Sequence, residues 1–420
     1  MSTTIYEDAV SSGTTRRWPV EGMSRVPAWV YSDAALFERE LDTFFGGSTW
    51  NYVALDCEIP LVGSYTRSWI GRTPVIVLRD ENDEIQVLEN RCAHRGSIIC
   101  WPQKGVQQDI TCPYHQWNYD LRGNLQGLPF RRGAQGKGGM PADFDMKSHG
   151  LRRLSVTNFG GSIWASFDEN VQDFASYLGP ELEGLARRVF SGRPLRLIGY
   201  SRQLLNCNWK VYFDNSRDPY HATLLHSFFL TFGLLRADTP FHAQSTSEGR
   251  HGIMASRYSP DSAQTSNEVT KQMRSLKAGF TLNDMEVVRP VDEFGDSSMI
   301  NLSVFPSAFL QQHGNSLAVR QIIPKSVDQT ELSWTYYGYA DDDADMIRRR
   351  LKQGNLLGPA GYVAIDDGEV AAHVQRGIAG APDAVQVVEM GGRESTQDET
   401  MLSESLIRAF YAFYREQLGL

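Results

Sequence analysis

Four metal-binding side chains stand in two mixed pairs: Cys92-Ala-His94 and, seventeen residues further on, Cys112-Pro-Tyr-His115. Two thiolates and two imidazoles supplied in this way suit a Rieske [2Fe–2S] cluster, in which the cysteines hold one iron and the histidines the other. Gly96 and Pro113 fit tight loops that aim four ligands inward, and Trp117 is placed to shield the cluster from water. The competing reading is a structural zinc site. Zinc modules, however, usually bring like residues in pairs, cysteines about two to four apart and histidines about three to five. Here each pair is mixed, so the cluster is favoured. Cys57, Cys100 and Cys207 lack a histidine partner and are expected to fill the core.

A second group lies downstream in NWKVYFDNSRDPYHATLLHSFF, where Asp218, His221 and His226 are spaced Asp-x2-His-x4-His. Asp218 and His221 share a face of a regular helix. His221 and His226, five apart, do not, and need a π-type widening or a helix end to meet at one ion. Two imidazoles and one carboxylate on one face of an iron leave positions open for O2 and substrate, the facial triad of non-haem iron oxygenases. Alone, two such histidines are equally well core or surface residues. The upstream pairs give them meaning, because an electron-carrying cluster needs an acceptor. The third ligand must be a carboxylate from elsewhere, and Asp366 and Asp367 in GPAGYVAIDDGEVAAHVQ are the candidates. Such a pair also suits a helix N-terminus, where it complements the dipole.

The elements that position these groups fall into three stretches. Residues 1–47 contain a helical pattern from Tyr31 to Gly46 and are expected to pack on the catalytic part. Residues 48–167 carry short β-rich runs such as WNYVALDC, TPVIVLR and EIQVLEN between turn signals, the mark of a small antiparallel domain. Residues 168–420 begin with a predicted helix from Val171 to Phe190, a strand near Arg196–Leu205 and a helical segment from Trp209 through His226. The polar stretch from Asp238 to Lys277 reads as long surface loops. Strands return at SMINLSVF, FLQQHGNSLAVRQIIP and ELSWTYYGYA, and helices close the chain. An α+β fold with a β-domain set into it fits this order.

With both constellations in view, the chain resembles the large (alpha) subunits of Rieske non-haem iron aromatic-ring-hydroxylating oxygenases. Within them it is similar to the salicylate 5-hydroxylase, anthranilate dioxygenase and terephthalate dioxygenase group. The stretches SRVPAWVYSDAALFERELDTFF, CPYHQWNYDLRGNLQG, PFRRGAQGKGGMPADF, NWKVYFDNSRDPYHATLLH and GPAGYVAIDDGEV carry the likeness along nearly the whole length. The resemblance implies an N-terminal Rieske domain beside a helix-grip catalytic domain with a central antiparallel sheet. It implies Cys92, His94, Cys112 and His115 as cluster ligands and His221, His226 and Asp367 as ligands of a mononuclear Fe(II). It makes Asp218 the carboxylate that bridges a cluster histidine of one subunit to an iron histidine of the next, and places Asn215 beside the iron. Asp214 departs from the glutamate common there. A ring of three large subunits is implied, often with a small subunit, together with NADH electrons from a separate reductase, directly or through a ferredoxin. No GxGxxG fingerprint follows a strand, so NADH is not expected to bind here.

The substrate expectation is an aromatic carboxylate. Arg320 lies in an otherwise apolar strand, where a charge is costly unless paired, and arginine pairs bidentately with carboxylate; an internal salt bridge is the competing reading. Met401 stands where terephthalate-type relatives carry a second arginine, which favours one carboxylate, as in salicylate or anthranilate; Arg393 and Arg408 lie nearby. Terephthalate dioxygenase and an O-demethylase-type monooxygenase are the alternatives. His313 is a candidate to hydrogen-bond a ring substituent, whereas His242, His251 and His373 fit no metal spacing and read as surface or pocket residues. A net charge of −9 without clustered Lys/Arg argues against nucleic acid. No apolar run approaches the about 18 residues of a membrane span. A soluble, cytoplasmic protein is the expectation.

Overall fold

The computed structural model describes residues 16–420 except 233, 247, 257–270, 272, 278, 296–298 and 395–396. In the N-terminal half, Ile85–Glu89, Thr73–Arg79, Ser64–Ile70 and Lys104–Val106 lie in that order in an antiparallel sheet. The run Val75-Ile76-Val77-Leu78 is buried on both faces, which is why it reads as unbroken β-branched and aliphatic residues instead of alternating ones. A second small sheet of Ile110–Thr111, Asn118–Tyr119 and Leu125–Gly127 stands beside it.

The two ligand-bearing loops leave these sheets and close in the same way. The Gly96 amide donates to Cys92 O and the Gln116 amide to Cys112 O, at 2.9 and 3.0 Å. The Cys92 amide donates to Ser97 O and the Cys112 amide to Trp117 O, at 2.9 and 2.8 Å. Each loop therefore needs a left-handed residue four places after its cysteine, and Gly96 (φ +74°) and Gln116 (φ +56°) fill that place.

The C-terminal half is built on eight antiparallel strands: β1 (Leu195–Leu205), β2 (Phe241–Ser245), β3 (Gly252–Ser256), β4 (Met299–Val304), β5 (Ala308–His313), β6 (Ser316–Ser326), β7 (Gln329–Tyr339) and β8 (Gln397–Asp398). Their order is β1-β7-β6-β5-β4-β3-β2-β8. Among the helices of this half are α1 (Trp209–Asn215), α2 (Ala344–Leu357), α3 (Ala364–Gly380) and α4 (Ser405–Leu418). The two halves share core: Tyr52 and Trp164 of the first pack in one apolar cluster with Leu302 and Leu310 of β4 and β5. Among the described residues no helix is long and apolar enough to cross a membrane.

Two sequence expectations are corrected. The stretch from Asp238 to Lys277 is not loop throughout, since it supplies β2 and β3; the part at 257–270 and 272 lies outside the described residues. Phe241, Ala243 and Ser245 are buried and alternate with His242 and Gln244, a period of two hidden by the polar residue types. The helix from Val171 to Phe190 is two helices, Phe174–Leu178 and Pro180–Arg187, because Gly179 turns left-handed (φ +78°) and Pro180 starts a new first turn.

The N-terminal helix Ala34–Glu40 is tied down by charge. Glu40, fully buried, accepts from Lys210 Nζ at 2.8 Å, Trp209 Nε1 at 2.8 Å and the Tyr414 hydroxyl. Three elements thus meet on one carboxylate. Lys210→Met leaves that carboxylate buried and uncompensated, so we expect a loss of about 3–5 kcal/mol in a chemical denaturation experiment.

Candidate active site

Helix α1 ends at Asn215, and Asp218-Pro219 opens a turn before the short helix Ala222–Leu225. His221 stands just before that helix and His226 just after it, with a non-helical ψ of 83°. The helical segment expected from Trp209 to His226 is therefore interrupted, and a helix end, not a π-type widening, turns the two rings toward each other. Their Nε2 atoms are 3.2 Å apart. Asp367 Oδ1 reaches both, at 3.4 Å from His221 Nε2 and 3.2 Å from His226 Nε2. On the opposite ring edges, Asp218 Oδ2 lies 3.3 Å from His221 Nδ1 and Asp366 Oδ2 lies 3.4 Å from His226 Nδ1.

This arrangement has a chemical reading. A carboxylate at each Nδ1 favours the Nδ1–H tautomer and leaves both Nε2 lone pairs facing a third carboxylate. Three electron-rich donors gathered in a buried corner repel unless a cation sits among them, and edges of this size suit one first-row ion with bonds of about 2.1 Å. His221, His226 and Asp367 form the group among the described residues able to hold a metal in this way. The local field agrees. Burial alone would lower the His221 pKa, but Asp218 and Asp367 override it and push it up to about 10. Asp367 is held well below the usual carboxylate range by both histidines, against the effect of burial. Asn215 Nδ2 donates to Asp367 Oδ1 at 3.3 Å. Asp366 and Asp367 also sit in the first turn of α3, so a place at the helix start is compatible with a place beside the histidines.

At the other constellation, Cys92 and Cys112 are buried against each other, and burial raises the Cys92 thiol. The rings of His94 and His115 are half-buried with centroids 4.6 Å apart. His94 stacks on Trp117 at 4.8 Å with the planes 5° from parallel, which puts Trp117 where a shield was expected. Burial also lowers the His94 pKa and keeps the ring neutral, while its Nδ1 is buried with no partner. Two adjoining thiols and two adjoining imidazoles, one with an orphaned buried nitrogen, fit a cluster with one sulfur-held and one nitrogen-held iron.

A cavity opens beside Asp367, His221 and His226 and is floored by the sheet. Phe229, Leu235, Phe241 and Met254 give it apolar walls, and Arg320 supplies its charge. Arg320 is 7% exposed, donates to Tyr212 Oη at 2.9 Å and Asn301 Oδ1 at 2.7 Å, and lies over the Phe309 ring. No carboxylate pairs with it among the described residues, so the internal salt bridge does not form there. His313 lines the same cavity, its pKa lowered to about 3 by burial and then by Arg320.

Met401 is buried in an apolar cluster, exposed Arg393 pairs with Glu389, and Arg408 donates to Val388 O and Met390 O. His242 and His373 are at the surface. His251 is corrected: it is fully buried, its Nε2 2.8 Å from Tyr177 O and its Nδ1 accepting from the Phe305 amide. Asn301 and Gln311 were not foreseen in the cavity, nor Tyr212 as a partner of Arg320. Nor was Glu404, which shares a second cavity with Asp214, Asp218 and His221. Asp214 is buried between the Tyr31 and Tyr411 hydroxyls, and burial pushes its pKa up to about 7.

Comparison with known proteins gives two family matches: a ring hydroxylating alpha subunit catalytic domain at residues 182–420 and a Rieske [2Fe-2S] domain at 49–138. The large oxygenase component of salicylate 5-hydroxylase from Ralstonia sp is 42% identical, covering 96% of each chain. Terephthalate 1,2-dioxygenase terminal oxygenase subunit alpha 2 from Comamonas sp is 41% identical over 96% of this chain and 97% of its own. The anthranilate 1,2-dioxygenase large subunit from Burkholderia cepacia is 40% identical over 96% and 95%. Among solved structures, naphthalene 1,2-dioxygenase from Rhodococcus sp. superimposes with a TM-score of 0.76 at 24% identity, covering 94% of each chain.

Proposed function

The chain belongs to the ring-hydroxylating oxygenase alpha subunits and carries a Rieske [2Fe–2S] domain, and from that premise we propose that its substrate is an aromatic ring bearing one carboxylate, of the salicylate or anthranilate kind. One observation carries the reading: a buried arginine with no counter-anion among the described residues, in the wall of the cavity that holds the metal triad. Tyr212 and Asn301 each take one N–H of the guanidinium and fix its plane, leaving the remaining donors for a carboxylate. Among the described residues lining the cavity no second cation is present, and a neutral His313 cannot replace one. This favours a monocarboxylate over the terephthalate alternative, and Met401 in an apolar cluster points the same way. His313 is the residue we assign to a polar ring substituent.

The cofactor roles follow from the donor sets. We assign Cys92, His94, Cys112 and His115 to the cluster and His221, His226 and Asp367 to a mononuclear Fe(II). When bound, these groups supply one-electron transfer and activation of O2. The protein's own part is to hold the ring against the triad, keep water out with Phe229, Leu235 and Phe241, and fix the histidine tautomers through Asp218 and Asp366. We further propose a trimer of this subunit, with or without a small subunit, fed by a separate reductase directly or through a ferredoxin. Exposed Trp101, Tyr114 and Phe130 on the cluster domain, and exposed Leu224, Tyr362 and Ile365 near the triad, give apolar surface suited to such contacts.

Arg320→Gln tests the substrate reading. Loss of a charge-assisted pair of about 1.5–3 kcal/mol should raise the Kd for salicylate or benzoate about ten- to a hundredfold. The affinity for a neutral analogue such as benzamide should barely move. Equal losses for acid and amide would remove Arg320 from this role.

A further inference from the structure

The floor of the cavity is a ruler. On the face of the sheet that carries Arg320, the strand pairing sets side chains in rows. Phe309, Arg320 and Trp334 form the first row, Asn301, Gln311 and Ala318 the second, and Met299, His313 and Ser316 the third. Successive rows on one face are two residues apart, about 6.6 Å along the strand, and the Arg320 guanidinium reaches the second row, where it meets Asn301 Oδ1 at 2.7 Å. A single benzene ring with its carboxylate spans little more than one of these steps. An acid held at the guanidinium therefore ends at the third row, by His313.

The space does not end there. A second chamber begins at the third row and shares Phe229, Leu235, Met299, His313 and Leu357 with the first. Its further walls are Leu234, Val287, Val288, Pro290 and Leu356. Gln353 also lines it, but both ends of that amide are engaged, Nε2 with Glu286 O at 3.1 Å and Oε1 with the Asn315 amide at 2.7 Å. His313 Nε2, at the junction, is buried without a partner. The two chambers adjoin along these shared residues, and among the described residues they present a cation at the inner end, a neutral hydrogen-bonding group midway and an apolar outer end.

We propose that the preferred substrate is an aromatic monocarboxylate extended, at the end away from its carboxylate, by an apolar group such as an alkyl chain or a second ring that occupies the outer chamber. The proposal rests on the reading of Arg320 as the carboxylate anchor, and the experiment separates the two. Benzoate and 4-butylbenzoate are titrated calorimetrically into the iron-loaded protein. A buried methylene is worth about a fourfold gain in affinity, so 4-butylbenzoate should bind at least about tenfold tighter than benzoate. Filling the outer chamber by Val288→Trp, or by Leu356→Phe if the first variant has a lowered Tm, should abolish that gain and leave the benzoate Kd unchanged. Equal affinities in the native protein, or a gain that survives in the folded variants, would overturn the extension while sparing the anchor. Arg320→Gln leaving both Kd values unaltered would overturn the anchor itself.

Discussion

Replacing Asp367 by alanine should lower the iron content from about three to about two per chain and leave the visible spectrum of the cluster in place. The triangle of donors sets this outcome. With Asp367 Oδ1 removed, the two Nε2 atoms still face each other at 3.2 Å, but the negative charge that a divalent ion would meet is gone. Changes to groups that only orient metal ligands cost about 10–100-fold in metal affinity or activity, so loss of a ligand should exceed about 100-fold. Asp367→Asn, which keeps the shape and loses the charge, should fall between the two. Asp366→Asn should be milder still, because Asp366 touches only the outer nitrogen of His226. Iron analysis with turnover of salicylate separates these variants. An Asp367→Ala protein that keeps its third iron would remove this carboxylate from the triad.

Much of this site was legible because its chemistry is compressed into short stretches. Each cluster loop carries a cysteine, a histidine and a left-handed residue within five positions, so spacing alone states the geometry. Asp218 and His221 are likewise local. What the sequence hid was long-range. The partners of Arg320 come from helix α1 and strand β4, and no spacing rule joins Tyr212, Asn301 and Arg320. Glu404 reaches the neighbourhood of Asp218 from just before α4, far along the chain. The strands β2 and β3 were missed for another reason. Burial in a sheet interior is set by neighbouring strands, and His, Gln and Ser alternate there as readily as aliphatic residues once those neighbours take their hydrogen bonds. The break at Gly179-Pro180 was written in the sequence, but the apolar periodicity on either side outweighed it. Even the acidic pair misleads if forced to a single meaning, since Asp366 and Asp367 stand at a helix start while Asp367 also reaches both histidines.

Asp218→Asn should keep both the cluster and the mononuclear iron, yet lower turnover by about a hundredfold or more, the upper end of what a carboxylate bound to a ligating histidine contributes. Asp218 lies 3.3 Å from His221 Nδ1 and also lines the second cavity beside Glu404 and Asp214, so it faces both the triad and the space next to it. Its Oδ1 accepts from the Tyr220 amide at 2.8 Å, which fixes the carboxylate so that Oδ2 points at the ring. Asparagine can preserve that turn but not the charge. His221 then loses one of the two carboxylates that raise its pKa, while Asp367 remains to hold the ligand face together. Ligand loss and electron-path loss thus give different signatures: the first removes iron, the second leaves it. Under single turnover, with the cluster reduced beforehand, the Asp218→Asn protein should show slowed reoxidation of the cluster together with full metal content. Fast cluster reoxidation with native product yield would mean that this carboxylate only supports the turn at Pro219, and the coupling of the two centres would have to be sought in Glu404 or Asp214.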